Sequence, residues 1–139
     1  MNKVMKKQEE YIEIFSHLSD EFSQFNFLIN KALTEGGYKD EGLRTNVNLL
    51  KSCQSKLWFR IGLGTNGKLY LNFDSDSVIL KGLLMVIKDI WEGATLKEIE
   101  SSSFILMKQV MVDDLLSTKR ESSITIIIQK IQQVSKDSE

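Results

Sequence analysis

A single cysteine is the side chain of this sequence best suited to covalent chemistry. Cys53 is the only cysteine among 139 residues, and it lies in the segment Lys-Ser-Cys-Gln-Ser-Lys that covers residues 51–56. A thiol within an apolar run usually packs as a small hydrophobic side chain. Hydroxyls, an amide and two cations can instead stabilise the thiolate, which is the reactive form. The neighbours of Cys53 therefore suit a nucleophile, while the residue types alone leave an inert or incidental thiol open.

Other catalytic and metal sites find little support in the sequence. With His17 as the one histidine, no Ser-His-Asp set is convincing, and one cysteine with one histidine falls short of a tetrahedral zinc site. Asp74 and Asp76 would suit a divalent cation, but the stretch Asp74-Ser75-Asp76-Ser77 precedes an apolar run and is better explained by helix capping through an Asp or Ser oxygen. Gly62 and Gly64 fall within a predicted hairpin, which argues against a phosphate-binding loop.

The composition excludes several classes of partner. Hydrophobic residues make up 42% and charged residues 27% of the chain, and the formal net charge is −1. There is no broad basic field for nucleic acid or anionic lipid, and the apolar run from Val78 to Ile90 is shorter than the roughly 20 residues of a bilayer span. The N-terminus lacks a signal-peptide pattern, and a lone cysteine suits a reducing compartment. We expect one domain over residues 1–139, in the cytoplasm.

Apolar spacing predicts helices on both sides of a central sheet. They cover about residues 3–18, 21–33, 78–91, 95–99, 104–110 and 117–134. The third is apolar nearly all round and should run through the middle of the domain, where Gly82 either allows another backbone to approach or is simply tolerated. In the last, the β-branched run of residues 124–128 would also suit a strand, but the longer period favours a helix.

The middle of the chain predicts the sheet itself. Residues 56–63 alternate in polarity, and a second strand over residues 68–73 follows Asn66-Gly67, whose positive φ angles suit a tight hairpin. A weaker strand is expected over residues 44–50. The fold class is therefore α+β, with a small antiparallel sheet of about three strands, including one hairpin, packed against N-terminal, central and C-terminal helices.

Two motifs in this order resemble those of a known family. Residues 53–58, Cys-Gln-Ser-Lys-Leu-Trp, are similar to the Cys-Gln-Ser-x-Val-Trp motif of the SufE family, the sulfur acceptors that partner pyridoxal-phosphate cysteine desulfurases. Further on, Asp74-Ser75-Asp76 and Lys81-Gly82 resemble the family's Asp-Ser-Asp and Lys-Gly segment. The resemblance covers about residues 10–133, and Ser52 replaces the glycine that the family usually has before the cysteine.

The resemblance implies a sulfur relay. Cys53 would be the nucleophile that accepts sulfur as a persulfide from a SufS-like cysteine desulfurase, stimulating that enzyme, and would pass it to a SufBCD-like iron–sulfur scaffold. Candidates for support or partner docking are Gln54, Ser55, Lys56, Asp74, Asp76 and Arg120. The chain would not be a stand-alone enzyme and would carry no cofactor or metal of its own. It would be a monomer or weak homodimer that binds neither nucleic acid nor membrane.

Two other functions stay open at this point. One is a non-catalytic adaptor or allosteric activator of a desulfurase, in which the thiol of Cys53 is incidental. The other is a stand-alone sulfurtransferase for a small sulfur donor, which would require a substrate pocket. For the relay we also expect Cys53 to rest against apolar surface, where its reactivity is low, and to turn outward when a partner docks.

Overall fold

The computed structural model describes residues 2–36, 40–50, 55–107 and 118–137, and the side chains of the last range from residue 123 onward. These ranges contain helices on both sides of a β-hairpin. The elements are α1 (Lys3–Ser16), α2 (Glu21–Glu35), β1 (Leu57–Leu63), β2 (Leu69–Ser75), α3 (Val78–Trp91), α4 (Leu96–Ser101) and α5 (Thr118–Asp137). The α+β fold class is confirmed. Of the helix predicted over residues 104–110, Leu106 and Met107 are helical and the last three residues lie outside the described ranges.

The sheet has two strands instead of about three. β1 and β2 pair antiparallel, with Leu57 opposite Ser75 and Leu63 opposite Leu69. The strand predicted over residues 44–50 is wrong, because this segment forms a 3-10 turn at Asn46–Asn48 and makes only a single bridge, between Leu49 and Trp58. The side chain of Asn48 donates to the carbonyl oxygen of Leu43 (3.0 Å). Such local bonds offer the backbone an alternative to a ladder.

The hairpin turn differs in detail from the prediction. Within the turn only Gly67, with φ of +75°, takes up the left-handed conformation, and no non-glycine residue in the described ranges does so. The amide of Gly67 donates to the carbonyl of Gly64 (3.0 Å), and the amide of Gly64 donates to the carbonyl of Lys68 (2.9 Å). This is a three-residue turn with a glycine bulge. Asn66 therefore does not need a positive φ, and its side-chain oxygen accepts from the amide of Lys68 (3.0 Å).

Helix α3 is the centre of the core, as the sequence predicts. It contacts α1, α2 and β2, and its buried side chains include Leu84, Ile87 and Trp91. A Cβ atom at Gly82 would overlap the carbonyl oxygen of Leu28 on α2. Glycine is therefore required there, because the two helix backbones approach too closely for any side chain.

The start of α3 confirms a cap within residues 74–77, but the capping residue is the serine and not an aspartate. Ser77 is the N-cap, and its hydroxyl accepts from the amide of Leu80 (3.2 Å). Asp74 and Asp76 do not cap the helix and have other partners. At the other side of the core, Ile124 and Ile127 are fully buried on α5, which confirms a helix over the β-branched run. None of the described helices is long and apolar enough to cross a bilayer.

Candidate functional site

The candidate residues lie partly outside the described structure. Cys53 and Gln54 are not among the described residues, so the expected resting position of Cys53 stays a prediction. Arg120 lies in the first turn of α5, and its side chain is not described either. The four candidates whose positions are described are Ser55, Lys56, Asp74 and Asp76.

The chain on either side of Cys53 is tied together and to the end of β2. The amide of Leu50 donates to the carbonyl of Leu57 (2.8 Å). The amide of Lys56 donates to Oδ1 of Asp76 (2.9 Å), while the carbonyl of Lys56 accepts from the amide of Asp76 (3.2 Å) and the hydroxyl of Ser75 (2.8 Å). We call these contacts of Leu50, Lys56, Leu57, Ser75 and Asp76 the loop base. They fix where the chain leaves and re-enters the scaffold around residues 51–54.

A buried ion cluster lies directly behind the loop base. Asp74 is 1% exposed, and its Oδ2 accepts from Nε of Arg44 at 2.6 Å, while its Oδ1 lies 3.2 Å from Nζ of Lys81. Backbone amides of Asp40 (3.1 Å) and Ser75 (2.9 Å) also donate to the carboxylate. We call Arg44, Asp74 and Lys81 the Asp74 cluster. It joins the segment before the cysteine, the end of β2 and the first turns of α3.

The surroundings of Asp74 keep it ionised. Burial by itself would raise the pKa of this carboxyl, but the hydrogen bonds from Arg44, two backbone amides and Lys81 outweigh burial and hold the pKa below its usual range. The same contact with Asp74 raises the pKa of the Arg44 guanidinium. Four donors surround the Asp74 carboxylate, so its lone pairs are used within the fold and none is free to bind a substrate. Its role is therefore structural.

Arg44 also connects the cluster to the tryptophan of the first motif. Its guanidinium carbon lies 4.5 Å from the centre of the Trp58 ring, and Nη2 donates to the carbonyl of Ser75 (3.3 Å). Planar stacking and several directional donors are properties of arginine that lysine lacks. The role of Arg44 is not predicted by the sequence, because nothing in the pattern of residues 44–50 relates Arg44 to Asp74, thirty residues later.

The metal interpretation of the two aspartates has no support in this geometry. Asp74 is occupied by two cations, and Asp76 bonds to the backbone of Lys56. Among the described residues, no group of three or more His, Cys, Asp or Glu side chains is placed to hold a metal ion.

A family model identifies the family to which the chain belongs. The model for SufE, the Fe-S metabolism associated domain, matches residues 9–135. The chain belongs to the SufE family. The match includes the loop base and the Asp74 cluster, so the elements before and after Cys53 in the chain are those of the SufE domain.

Curated relatives carry names that agree with this family. The chain is 26% identical over 90 residues to the sulfur acceptor protein CsdE of Escherichia coli (strain K12), an alignment that covers 64% of this chain and 61% of that protein. It is 29% identical over 99 residues to the cysteine desulfuration protein SufE of Wigglesworthia glossinidia brevipalpis, covering 71% of this chain and 67% of the relative. The alignment with CsdE thus spans less than two thirds of that protein's length.

A solved structure supports the fold independently of sequence. The solution structure of a hypothetical protein from Thermus thermophilus superposes with a TM-score of 0.71 and covers 94% of both chains. The two sequences are only 14% identical. This likeness concerns the α+β fold of the SufE-family chain.

Proposed function

We propose that this SufE-family chain is a sulfur acceptor, which takes sulfur from a cysteine desulfurase onto Cys53. The observation that carries the proposal is the loop base, which ties the chain segments before and after the lone cysteine to the hairpin. The family match and the names of the two relatives support the same class of function. The roles of Gln54, Ser55 and Arg120 in support or docking remain part of this proposal.

The proposed reaction is a transfer between two thiols. The thiolate of Cys53 attacks the outer sulfur of a persulfide on the desulfurase cysteine. A new S–S bond forms on Cys53 as the S–S bond on the desulfurase breaks, and the desulfurase cysteine leaves as a thiolate. The sulfur oxidation level is conserved, so no external oxidant or reductant is needed. Pyridoxal phosphate belongs to the desulfurase.

The loop base would give this transfer a fixed frame. Lys56 is bonded through both its amide and its carbonyl, and Leu50 is bonded through its amide. Backbone that is held on both sides of a short segment loses less entropy when that segment docks in a partner's active site. The Asp74 cluster stabilises the frame from behind through Arg44 and Lys81.

Two exposed apolar side chains near the loop base suit a partner surface. Val47 on the 3-10 turn is 93% exposed, and Val78 at the start of α3 is 46% exposed. Val47 lies two residues before the bridge at Leu49, and Val78 lies two residues after Asp76. We propose that both contact the desulfurase when Cys53 enters its active site.

Delivery to an iron–sulfur scaffold of the SufBCD type would complete the relay. The proposal extends to one domain over residues 1–139 that acts in the cytoplasm as a monomer or weak homodimer, without a cofactor of its own. The family description, which associates the domain with Fe-S metabolism, supports the direction of delivery.

Intact mass spectrometry tests the proposal. The protein is mixed with a SufS-type desulfurase and cysteine, and the mass is recorded before and after reduction. We expect a gain of one sulfur atom that reductant removes and that Cys53→Ser abolishes. If Cys53→Ser stimulates the desulfurase as well as the unmodified protein does, and no sulfur is gained, the chain is an adaptor and the acceptor proposal fails.

A further inference from the structure

Hydrogen-bonded and non-hydrogen-bonded residue pairs alternate along the hairpin, and this alternation determines which backbone groups of β1 face outward. On β2, the amide of Leu69 donates away from β1 to the carbonyl of Ala94 (2.9 Å), and the amide of Leu71 donates to the carboxylate of Glu92 (3.0 Å). These two residues lie opposite Leu63 and Ile61 in non-hydrogen-bonded pairs. The amides and carbonyls of Ile61 and Leu63 therefore also point away from the hairpin, at the outer edge of β1.

The two edges of this sheet differ in how far their outward backbone groups are hydrogen-bonded. The outer edge of β2 is covered at Leu69 and Leu71. The amide of Leu69 donates to the turn after α3, the amide of Leu71 donates to the side chain of Glu92, and the amide of Gly93 donates to the carbonyl of Leu69 (2.8 Å). The outer edge of β1 is bonded at Leu57, where Leu50 donates. Beyond Phe59, the outward backbone groups of Ile61 and Leu63 have no hydrogen-bond partner among the described residues. An open edge is a template for a further strand.

The side chains beside this open edge set the chemistry of a partner strand. Phe59, Ile61 and Leu63 are half-buried and share one face of β1. Arg60 is exposed on the other face, and its Nη2 donates to the carbonyl of Gly42 (3.0 Å). Lys130 of α5 is also exposed, and its ammonium lies 5.2 Å from the centre of the Phe59 ring. Neither cation forms an ion pair with a described carboxylate.

We propose that the open edge of β1, at Ile61 and Leu63, binds an extended acidic segment of a partner protein by strand addition. In an added antiparallel strand, the residue opposite Ile61 exchanges both backbone bonds with it and shares its face. In the partner segment, the residue opposite Ile61 and the residues two positions before and after it lie on the apolar face of β1, so we expect them to be apolar. The residues between them lie on the face of Arg60 and Gly62, so we expect them to be acidic. The pattern of the segment is therefore apolar and acidic in strict alternation.

A second copy of the chain fits this edge less well. Twofold pairing about Ile61 would place Arg60 opposite Gly62, which is sterically acceptable, but it would also bring the two Arg60 side chains to the same face close to the axis. Like charges at such distances are destabilising. This surface lies outside the loop base, so the inference does not depend on sulfur transfer.

The probe is a fluorescent peptide of alternating glutamate and valine, acetylated and amidated at its ends, titrated against the whole protein by anisotropy. We expect it to bind, and the lysine–valine counterpart to bind about tenfold more weakly. Arg60→Glu should reverse this preference, and Lys97→Glu on α4, an exposed cation on another element, should leave it unchanged. Methylating the valine amides should abolish binding, because these amides pair with Ile61. Methylating the glutamate amides, which point away, should not.

Amide hydrogen exchange provides a readout that does not depend on a variant folding. With peptide bound, exchange should slow at Ile61 and Leu63, while Arg60 and Gly62, which already pair with β2, should change little. Equal binding of the acidic and basic peptides, or no protection at Ile61, would overturn the proposal. Slow exchange at Ile61 in the free protein together with a dimer in sedimentation would also overturn it, in favour of a second copy.

Discussion

Two clusters of charged side chains lie at opposite ends of α3 and differ in what they join. Near the start of the helix, Lys81 meets Asp74 and Arg44, whose backbones belong to the hairpin and to the segment before the cysteine. Near its end, Asp89 accepts from the hydroxyl of Tyr11 and from Nζ of Lys31 (2.7 Å). The first cluster joins irregular chain to a strand and a helix, whereas the second joins three helices.

The difference shows which cluster the fold itself requires. Helices α1, α2 and α3 already bury a continuous apolar surface, so the Asp89 cluster adds to packing that exists without it. Residues 40–44 form neither helix nor strand. The amide of Asp40 and the side chain of Arg44 both donate to the carboxylate of Asp74, and these bonds hold the segment in place. A charge cluster matters most where the backbone has no regular hydrogen bonds of its own.

Removing the charge of Asp74 should have the largest effect. Asp74→Asn leaves Arg44 and Lys81 buried without their common counter-ion, and we expect a loss of about 3–5 kcal/mol in the free energy of unfolding. Sulfur acceptance at Cys53 should fall in the remaining folded protein, since the frame behind the loop base is weakened. Urea unfolding followed by circular dichroism measures the free energy of unfolding, and intact mass spectrometry measures sulfur acceptance at Cys53. A loss no larger than that of Asp89→Asn would break the contrast between the clusters.

The effect of Asp74→Asn should depend on pH. The pKa of Asp74 is lowered in the folded protein, so its ionised form contributes stability above the unfolded pKa of about 3.9. That contribution is lost as pH falls through the lower, folded pKa. The difference in unfolding free energy between the variant and the original chain should therefore have its largest value at pH 7 and decrease below about pH 4. A difference that is constant from pH 7 to pH 3 would contradict an ionised Asp74.

Asp89→Asn should cost less and leave function intact. Asp89 is partly exposed, so water can replace some of its contacts, and we expect a loss of about 1–2 kcal/mol in the free energy of unfolding. The phenol of Tyr11 and the ammonium of Lys31 keep access to the amide oxygen of the new side chain. Sulfur acceptance under conditions where the variant is fully folded should be unchanged. Reduced acceptance there would mean that the second cluster also acts on the loop base.

Arg44→Lys should give the smallest change in stability. It distinguishes the effect of the positive charge at residue 44 from the effect of the planar guanidinium and its directed bonds. The positive charge beside Asp74 is kept, but the stacking on Trp58 and the bond to Ser75 are lost. We expect about 1 kcal/mol less stability and a slower transfer of sulfur to Cys53 in single-turnover mixing with a persulfidated desulfurase. Unchanged transfer would show that the charge of residue 44 alone is sufficient.

Much of the architecture could be predicted from local sequence. Helix period and capping located α1, α2, α3 and α5, and the capping box at Thr95 begins α4 as expected. The hairpin followed from alternation and glycine, although its turn uses a positive φ only at Gly67. The strand over residues 44–50 was wrong, because Asn48 bonds locally and the segment makes one bridge only.

The sequence by itself determined the lone thiol, the two motifs and the family to which they point, because these are properties of residue type and spacing. Tertiary structure decided what the motif residues contact. Asp74 and Asp76 were expected at a helix cap, yet Asp74 is buried against Arg44 and Lys81, and Asp76 holds the backbone of Lys56. Capping depends on neighbours within one turn. These partners lie up to thirty residues away, and only the folded hairpin brings them within hydrogen-bond distance.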